Sequence, residues 1–217
     1  MRQLALLPLL FALVLTTPGC PGGQGGSESA SPAPVASSAS YQVEFETTQG
    51  KVVLEVHPDW SPRGEARFRE LVESGYFEGC SFFRVVDGFV VQFGISGDPA
   101  KNEQWQGKTI GDDPVVETNS RGTLTFAKTG APNSRTTQLF FNLVDNPRLD
   151  GMGFSPFAKV VSGMEVVESL YSGYGEGAPR GNGPDQGRLT SEGDAYLSAG
   201  FPKLDKILTA KVVSASK

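Results

Sequence analysis

Residues Tyr41 to His57, YQVEFETTQGKVVLEVH, alternate apolar and polar side chains on both sides of Thr48-Gln49-Gly50. A period of two flanking a turn predicts a β-hairpin with one face buried. Further β-rich runs stand on either side of Asp87-Gly88 and at 122–127 (GTLTFA), 138–144 (QLFFNLV), 156–161 (PFAKVV) and 207–213 (ILTAKVV). No helix joins successive runs as a parallel sheet would require, so antiparallel pairing follows. Two helices are expected. In SPRGEARFRELVESG, Ser61 is placed to cap, Pro62 takes the first helical position, Phe68, Leu71 and Val72 share a face, and Gly75 stops the helix. A shorter helix spans about Gly163 to Leu170, while 95–120 and 171–204 read as a polar loop and a turn-rich surface loop. This inventory predicts a mainly β fold, a closed eight-stranded antiparallel β-barrel capped by two α-helices, because closure removes exposed strand edges.

The first twenty residues, MRQLALLPLLFALVLTTPGC, have a basic start at Arg2, an apolar stretch from Leu4 to Leu15 and a small-residue end. That is the layout of an export signal, and the apolar stretch is too short to span a membrane comfortably. Its Gly-Cys end resembles bacterial lipoprotein signals, which implies lipidation of Cys20 as the mature N-terminus. Residues 21–40 are almost all Gly, Ser, Ala and Pro, a composition that cannot bury enough apolar surface to offset chain entropy. They read as a disordered tether, leaving 41–217 as the folded domain of an exported, membrane-anchored protein of the bacterial cell envelope.

Composition narrows the chemistry. A net charge of −5, with no basic block, argues against a nucleic-acid partner. Cys80 stands alone in the folded part and reads as a small buried hydrophobe, and the single His57 lies at a strand end in EVHPDWSP. One His and one domain Cys exclude a His/Cys metal cluster and disfavour a nucleophile-His triad, so any catalysis works without the usual proton-transfer groups; no cofactor is expected. Gly173, Gly175 and Ala178 match a dinucleotide fingerprint loosely, but a helix precedes them and Pro179 follows where a helix should start. Nothing implies an oligomer, and a monomer is expected.

The stretch FFRVVDGFVVQFG, Phe82 to Gly94, carries a single Arg84 before its Asp-Gly turn and a single Gln92 after it. An odd-membered loop sets Arg84 opposite Gln92, with Phe82, Val86 and Val90 on the same face; a two-residue loop puts Arg84 and Gln92 on opposite faces. The sequence leaves both registers open.

Together with GTLTFAKTGAPNSRTTQLFFNLVDNPRLDGMGFSPFAKVVSGMEVV from Gly122, this stretch resembles the cyclophilin family of peptidyl-prolyl cis-trans isomerases. The spacings Arg-x4-Phe-x2-Gln and Ala-x10-Gln-x-Phe carry the resemblance, which runs from about Tyr41 to Val213; GYGEGAPRGNGPDQGRL looks like a bacterial branch. The resemblance implies Arg84 as the catalytic arginine, Phe89, Val90 and Phe140 as the floor of a proline pocket, and Gln92 as a contact to substrate backbone. It implies Ala127 and Lys128 on the strand that pairs with the peptide, Gln138 as a further polar group of the groove, Leu149 in the pocket wall, and Phe154 in place of the family's pocket histidine. Arg148 stands where cyclosporin-binding relatives have Trp, so weak cyclosporin affinity is expected. The implied partners are proline-containing polypeptides. Two other uses of such a barrel remain at this point: a docking or holdase module for proline peptides, and a lipoprotein barrel enclosing a small apolar ligand.

Overall fold

The computed structural model describes residues 39–177 and 179–215. Residues 1–38, which hold the expected export signal, Cys20 and most of the expected tether, lie outside the described residues. The strands are β1 (Tyr41–Thr47), β2 (Gly50–Val56), β3 (Arg84–Val86), β4 (Val90–Phe93), β5 (Thr123–Phe126), β6 (Leu139–Asn142), β7 (Pro156–Ser162) and β8 (Ile207–Ala215). Every ladder between them is antiparallel, in the order β3-β4-β6-β5-β7-β2-β1-β8.

The sheet curls into a half-barrel that is open, which corrects the expectation of a closed barrel. Closure would need β3 and β8 to share a ladder, but they stand at the two ends of the sheet order and no ladder joins them among the described residues. Only the segments leading into the two end strands meet, in an isolated bridge between Ser81 and Lys206 flanked by Phe82 N–H to Asp205 O and Ile207 N–H to Cys80 O.

Five short α-helices accompany the sheet among the described residues: α1 (Pro62–Glu73), α2 (Pro99–Trp105), α3 (Met164–Ser169), α4 (Gln186–Glu192) and α5 (Asp194–Gly200), with a 3-10 helix at Pro147–Met152. Only α1 and α3 were legible. Helices α2, α4 and α5 lie in stretches punctuated by Gly, Pro and polar residues that read as loops, whereas the comparably short α3, which buries only Val167, follows Gly163 with the apolar Met164, Val166, Val167 and Leu170. The stretches read as loops at 95–120 and 171–204 therefore contain helices.

Helix α1 buries Phe68, Leu71 and Val72 as its periodicity requires. Its capping differs from expectation. The Ser61 hydroxyl makes no cap bond to the helix; it donates to Asp113 Oδ2 at 2.6 Å. The Asp113 carboxylate itself accepts from the backbone N–H groups of Gly64 (3.0 Å) and Arg63 (3.3 Å), satisfying first-turn donors from fifty residues away. Arg135 Nη2 closes the group with a 2.9 Å ion pair to Asp113 Oδ2, and the two side chains are only 3% and 2% exposed. Burial would push the Asp113 carboxyl up, but the hydrogen bonds from Ser61, Arg135 and Gly64 outweigh it and hold the group below the usual carboxylate range.

Phenylalanines fill the main core: Phe45 meets Phe68, Phe77 and Phe93 with ring centroids 5.9–6.2 Å apart. A second cluster, Phe83, Ile95, Leu189 and Leu197, binds α4 and α5 to the β3–β4 end of the sheet. It therefore anchors the long 171–204 segment beside Arg84.

Asp113→Ala removes the closest carboxylate partner of the buried Arg135, leaving that of Asp112 at 3.6 Å, and frees the first-turn N–H groups; it is expected to cost about 3 kcal/mol by chemical denaturation at pH 7. Because the folded-state carboxyl titrates below its unfolded value, the stabilisation is complete above the ordinary aspartate range near pH 4 and is lost as pH falls through the lowered value. Melting curves of wild type and the variant should accordingly converge on acidification.

Candidate active site

The turn between β3 and β4 decides what faces what. Asp-Gly is the signature of a two-residue hairpin loop with positive φ at both positions, but Asn133 is the one non-glycine with positive φ among the described residues, so Asp87 does not adopt it. Gly88 alone does, at 68°, and Phe89 N–H bonds to Val86 O at 3.0 Å. Pairing resumes at Val86 with Val90, leaving three residues in the loop, and Arg84 falls opposite Gln92. Of the two registers the sequence allowed, this is the odd-loop one.

Alternation then sorts the side chains. Val85, Val91, Phe93, Leu139 and Phe141 enter the main core, whereas Arg84, Val90, Gln92 and Phe140 point to the other face. Phe82 is a correction: it precedes β3 and packs in the main core against Phe93, rather than on the Arg84 face. On that second face Val90, Phe140 and Leu149 form an apolar cluster of their own, with Phe89, Ala127 and Phe154 against it. The rings of Phe140 and Phe154 meet edge to face at 5.7 Å. Leu149 and Phe154 belong to the turn around the 3-10 helix, where Asn119 Nδ2 donates to Phe154 O (2.9 Å) and Phe154 N–H to Leu149 O (3.2 Å).

These residues line a cleft of ≈ 400 Å³. Nine of the ten residues singled out from the sequence for catalysis or substrate contact border it: Arg84, Phe89, Val90, Gln92, Ala127, Lys128, Phe140, Leu149 and Phe154. Gln138 does not; it lines an adjoining depression with Gln92, Ala127 and Lys128. A hydrogen-bonded row joins the polar members across three segments, Arg84 Nη1 to Gln92 Oε1 at 3.0 Å and Gln92 Nε2 to Gln138 Oε1 at 2.8 Å. The Ala127 N–H is taken by Gln138 O at 2.9 Å. Cations crowd the rim: the Arg148 guanidinium lies 4.9 Å from the Phe89 ring and Lys128 Nζ 5.5 Å from the Phe154 ring.

Sequence reasoning missed Met152, Glu176, Arg180 and Gln186, which also line the cleft. Glu176 matters most. Its carboxylate accepts from Arg84 Nε at 2.7 Å and Nη2 at 2.8 Å, and this pairing holds it below the usual carboxylate range despite partial burial. A Glu between glycines, ninety-two positions from its arginine, leaves no spacing signal. Cys80 lies outside the cleft in the main core, where burial pushes its thiol up to about 12, so it is no nucleophile. His57 stacks on Trp60 at 3.9 Å and meets Glu55 at 3.0 Å.

Among the described residues, the cleft offers an apolar floor with guanidinium and amide donors along one side, and neither His57 nor Cys80 lines it. The family model described as cyclophilin type peptidyl-prolyl cis-trans isomerase/CLD matches residues 42–186. Peptidyl-prolyl cis-trans isomerase B of Escherichia coli (strain K12) is 34% identical over 144 residues, covering 59% of this chain and 82% of that protein. Among solved structures, the cyclophilin AquaCyp293 from Hirschia baltica superposes with a TM-score of 0.58 at 20% identity, covering 80% of this chain and 74% of that one. A Cryptosporidium parvum cyclophilin type peptidyl-prolyl cis-trans isomerase, solved in the presence of the dipeptide Ala-Pro, gives 0.57 at 22% identity, with coverage of 80% and 99%. At these identities the two structures speak for the fold.

Adjacent phenylalanines on opposite faces provide a test of the sorting. Phe141→Ala opens the main core and is expected to cost about 3–5 kcal/mol. Phe140→Ala, beside a cleft that water already reaches, should cost about 1.5–3 kcal/mol, read by denaturation of the two variants side by side.

Proposed function

The chain belongs to the cyclophilin-type peptidyl-prolyl cis-trans isomerases and is an isomerase of that class acting on proline-containing peptides, and on that premise we propose that Arg84 lowers the barrier by stabilising the twisted amide while the proline ring sits on Val90, Phe140 and Leu149. The observation that carries this reading is the register that sets Arg84 beside Gln92 on the face of that apolar cluster.

Rotation about an X-Pro bond meets a barrier of about 18–20 kcal/mol because the amide is conjugated. No bond breaks, so the catalyst needs only to bind the twisted amide better than the planar one. Twisting returns a lone pair to the prolyl nitrogen, and a guanidinium N–H aimed at it gains a hydrogen bond that the planar amide cannot accept. A guanidinium has five N–H donors, and the bonds within the described residues engage one each on Nε, Nη1 and Nη2, so one on each Nη is left for substrate. Phe140 and Phe154, ring to ring, hold the pyrrolidine while the acyl side turns, and Gln92, tied to both Arg84 and Gln138, is placed to accept or donate along the substrate backbone. On this reading the rotation uses no cofactor.

For substrates we propose exported or unfolded polypeptides, met by a monomeric domain hung from a lipid on Cys20 in the bacterial envelope. The support is the export signal, its Gly-Cys end and the Gly/Ser/Pro/Ala run that follows. Mass spectrometry of the mature N-terminus should find a diacylglyceryl-modified Cys20; an unmodified thiol or cleavage elsewhere removes the anchor.

Arg84→Ala should lower kcat/KM on an X-Pro tetrapeptide by at least one tenfold step, each step being about 1.4 kcal/mol of barrier. Arg84→Lys should not restore it, since a point charge lacks the planar fork. NMR exchange measures both, and a wild-type rate in Arg84→Ala would remove Arg84 from catalysis.

A further inference from the structure

We propose that Glu176 is a positioning residue for catalysis, clamping the Arg84 guanidinium so that its free N–H groups face the substrate. The inference rests on the reading of Arg84 given above and deepens it.

The two Glu176 oxygens take Nε and Nη2, one edge of the guanidinium plane, at 2.7 and 2.8 Å. Gln92 takes Nη1 at 3.0 Å. A long arginine side chain loses rotamer freedom when it is fixed, and here two acceptors from different segments fix it before any substrate arrives. A carboxylate on the Nε–Nη2 edge leaves the outward N–H of Nη2 uncovered, so the geometry orients the group and does not block it.

The loop that presents Glu176 is itself built for the purpose. Oε1 also accepts the Gly177 N–H at 3.0 Å, and the Glu176 carbonyl accepts the Gly183 N–H at 2.9 Å. A Cβ on Gly181 would come within 2.3 Å of that carbonyl oxygen, and one on Gly183 within 2.9 Å, so the turn closes on Glu176 only because glycines stand there. Both flanks are pinned. Tyr174 packs against Tyr171 (5.0 Å) and Phe201 (5.1 Å), and the Tyr196 hydroxyl accepts the Asp185 N–H at 3.0 Å. Described residues on both sides thus hold Glu176 in place for its carboxylate to meet Arg84.

The test uses the full chain in detergent, with kcat and KM separated by NMR exchange on an X-Pro tetrapeptide. Glu176→Ala should lower kcat about tenfold with KM changed less than about twofold, and Glu176→Gln, which keeps one acceptor oxygen, should fall between. The Arg84 Nε–H resonance, assigned by its loss in Arg84→Ala, should be sharp in wild type and broadened by exchange in Glu176→Ala. An unchanged or faster kcat, a loss confined to KM, or an unaltered Nε–H resonance would each overturn the positioning role. If Arg84→Ala turns over like wild type, the reading of Arg84 fails first and the clamp falls with it, whereas a slow Arg84→Ala with a normal Glu176→Ala refutes the clamp alone.

Discussion

One residue of loop length between β3 and β4 governs the rest of the molecule. Side chains on a strand alternate with a period of two, so shortening this three-residue loop to two would send Gln92 to the face opposite Arg84. The same slip would exchange Val91 and Phe93, now in the phenylalanine core, with Val90 and Gln92, now on the cleft side. The core therefore enforces the register that the site needs. Phe93 alone touches Phe45, Phe77, Phe82 and Phe141, and a slip that exposed it would forfeit all four contacts.

Around that hairpin the cleft is assembled from segments far apart in the chain, each fixed by an interaction outside the cleft. The 3-10 turn that carries Leu149 hangs on Asn119, through Asp150 and the Phe154 carbonyl. The strap that carries Glu176 is held by α4 and α5, whose leucines pack on Phe83 and Ile95 at the root of β3 and β4. Lys128 and Asp112 approach within 3.9 Å, beside the Asp113–Arg135 pair that caps α1. Local stability and site geometry are thus the same contacts seen from two sides, and an open half-barrel suffices because helices and straps brace its ends.

How much of this was legible in the sequence depended on whether the information was periodic or long-range. Strands β1, β2 and β5 to β8 announced themselves through alternation and apolar runs, and α1 through Phe68, Leu71 and Val72. Helices α2, α4 and α5 were hidden because Gly, Pro and polar residues surround and interrupt their apolar positions, unlike Met164, Val166, Val167 and Leu170 in and just after α3. Closure of the barrel was inferred from the need to hide edges, but the end strands β3 and β8 share no ladder among the described residues, and only the segments leading into them meet, at Ser81 and Lys206. In the cleft, Arg84, Phe89 and Gln92, and Ala127, Gln138 and Phe140, were legible through the family resemblance, which the fixed spacing within each trio carries. Glu176, and Asp113 in its capping role, were not: each acts on a helix or an arginine some fifty to ninety positions away, a pairing that only the folded chain brings about.

The pairing with Glu176 also bears on what kind of catalyst Arg84 can be. An unpaired guanidinium beside a groove would attract the carbonyls of any peptide, planar or twisted, and attraction common to both states tightens binding without speeding rotation. Glu176 offsets that charge while leaving N–H groups whose pull depends on direction. Only the twisted amide turns a lone pair toward such a donor. Attraction common to both amide geometries drops out of the barrier, so the directed hydrogen bond to a charged donor, about 1.5–3 kcal/mol, is what decides between them. On the proposed mechanism, the carboxylate at the edge of the guanidinium makes Arg84 selective for shape over charge.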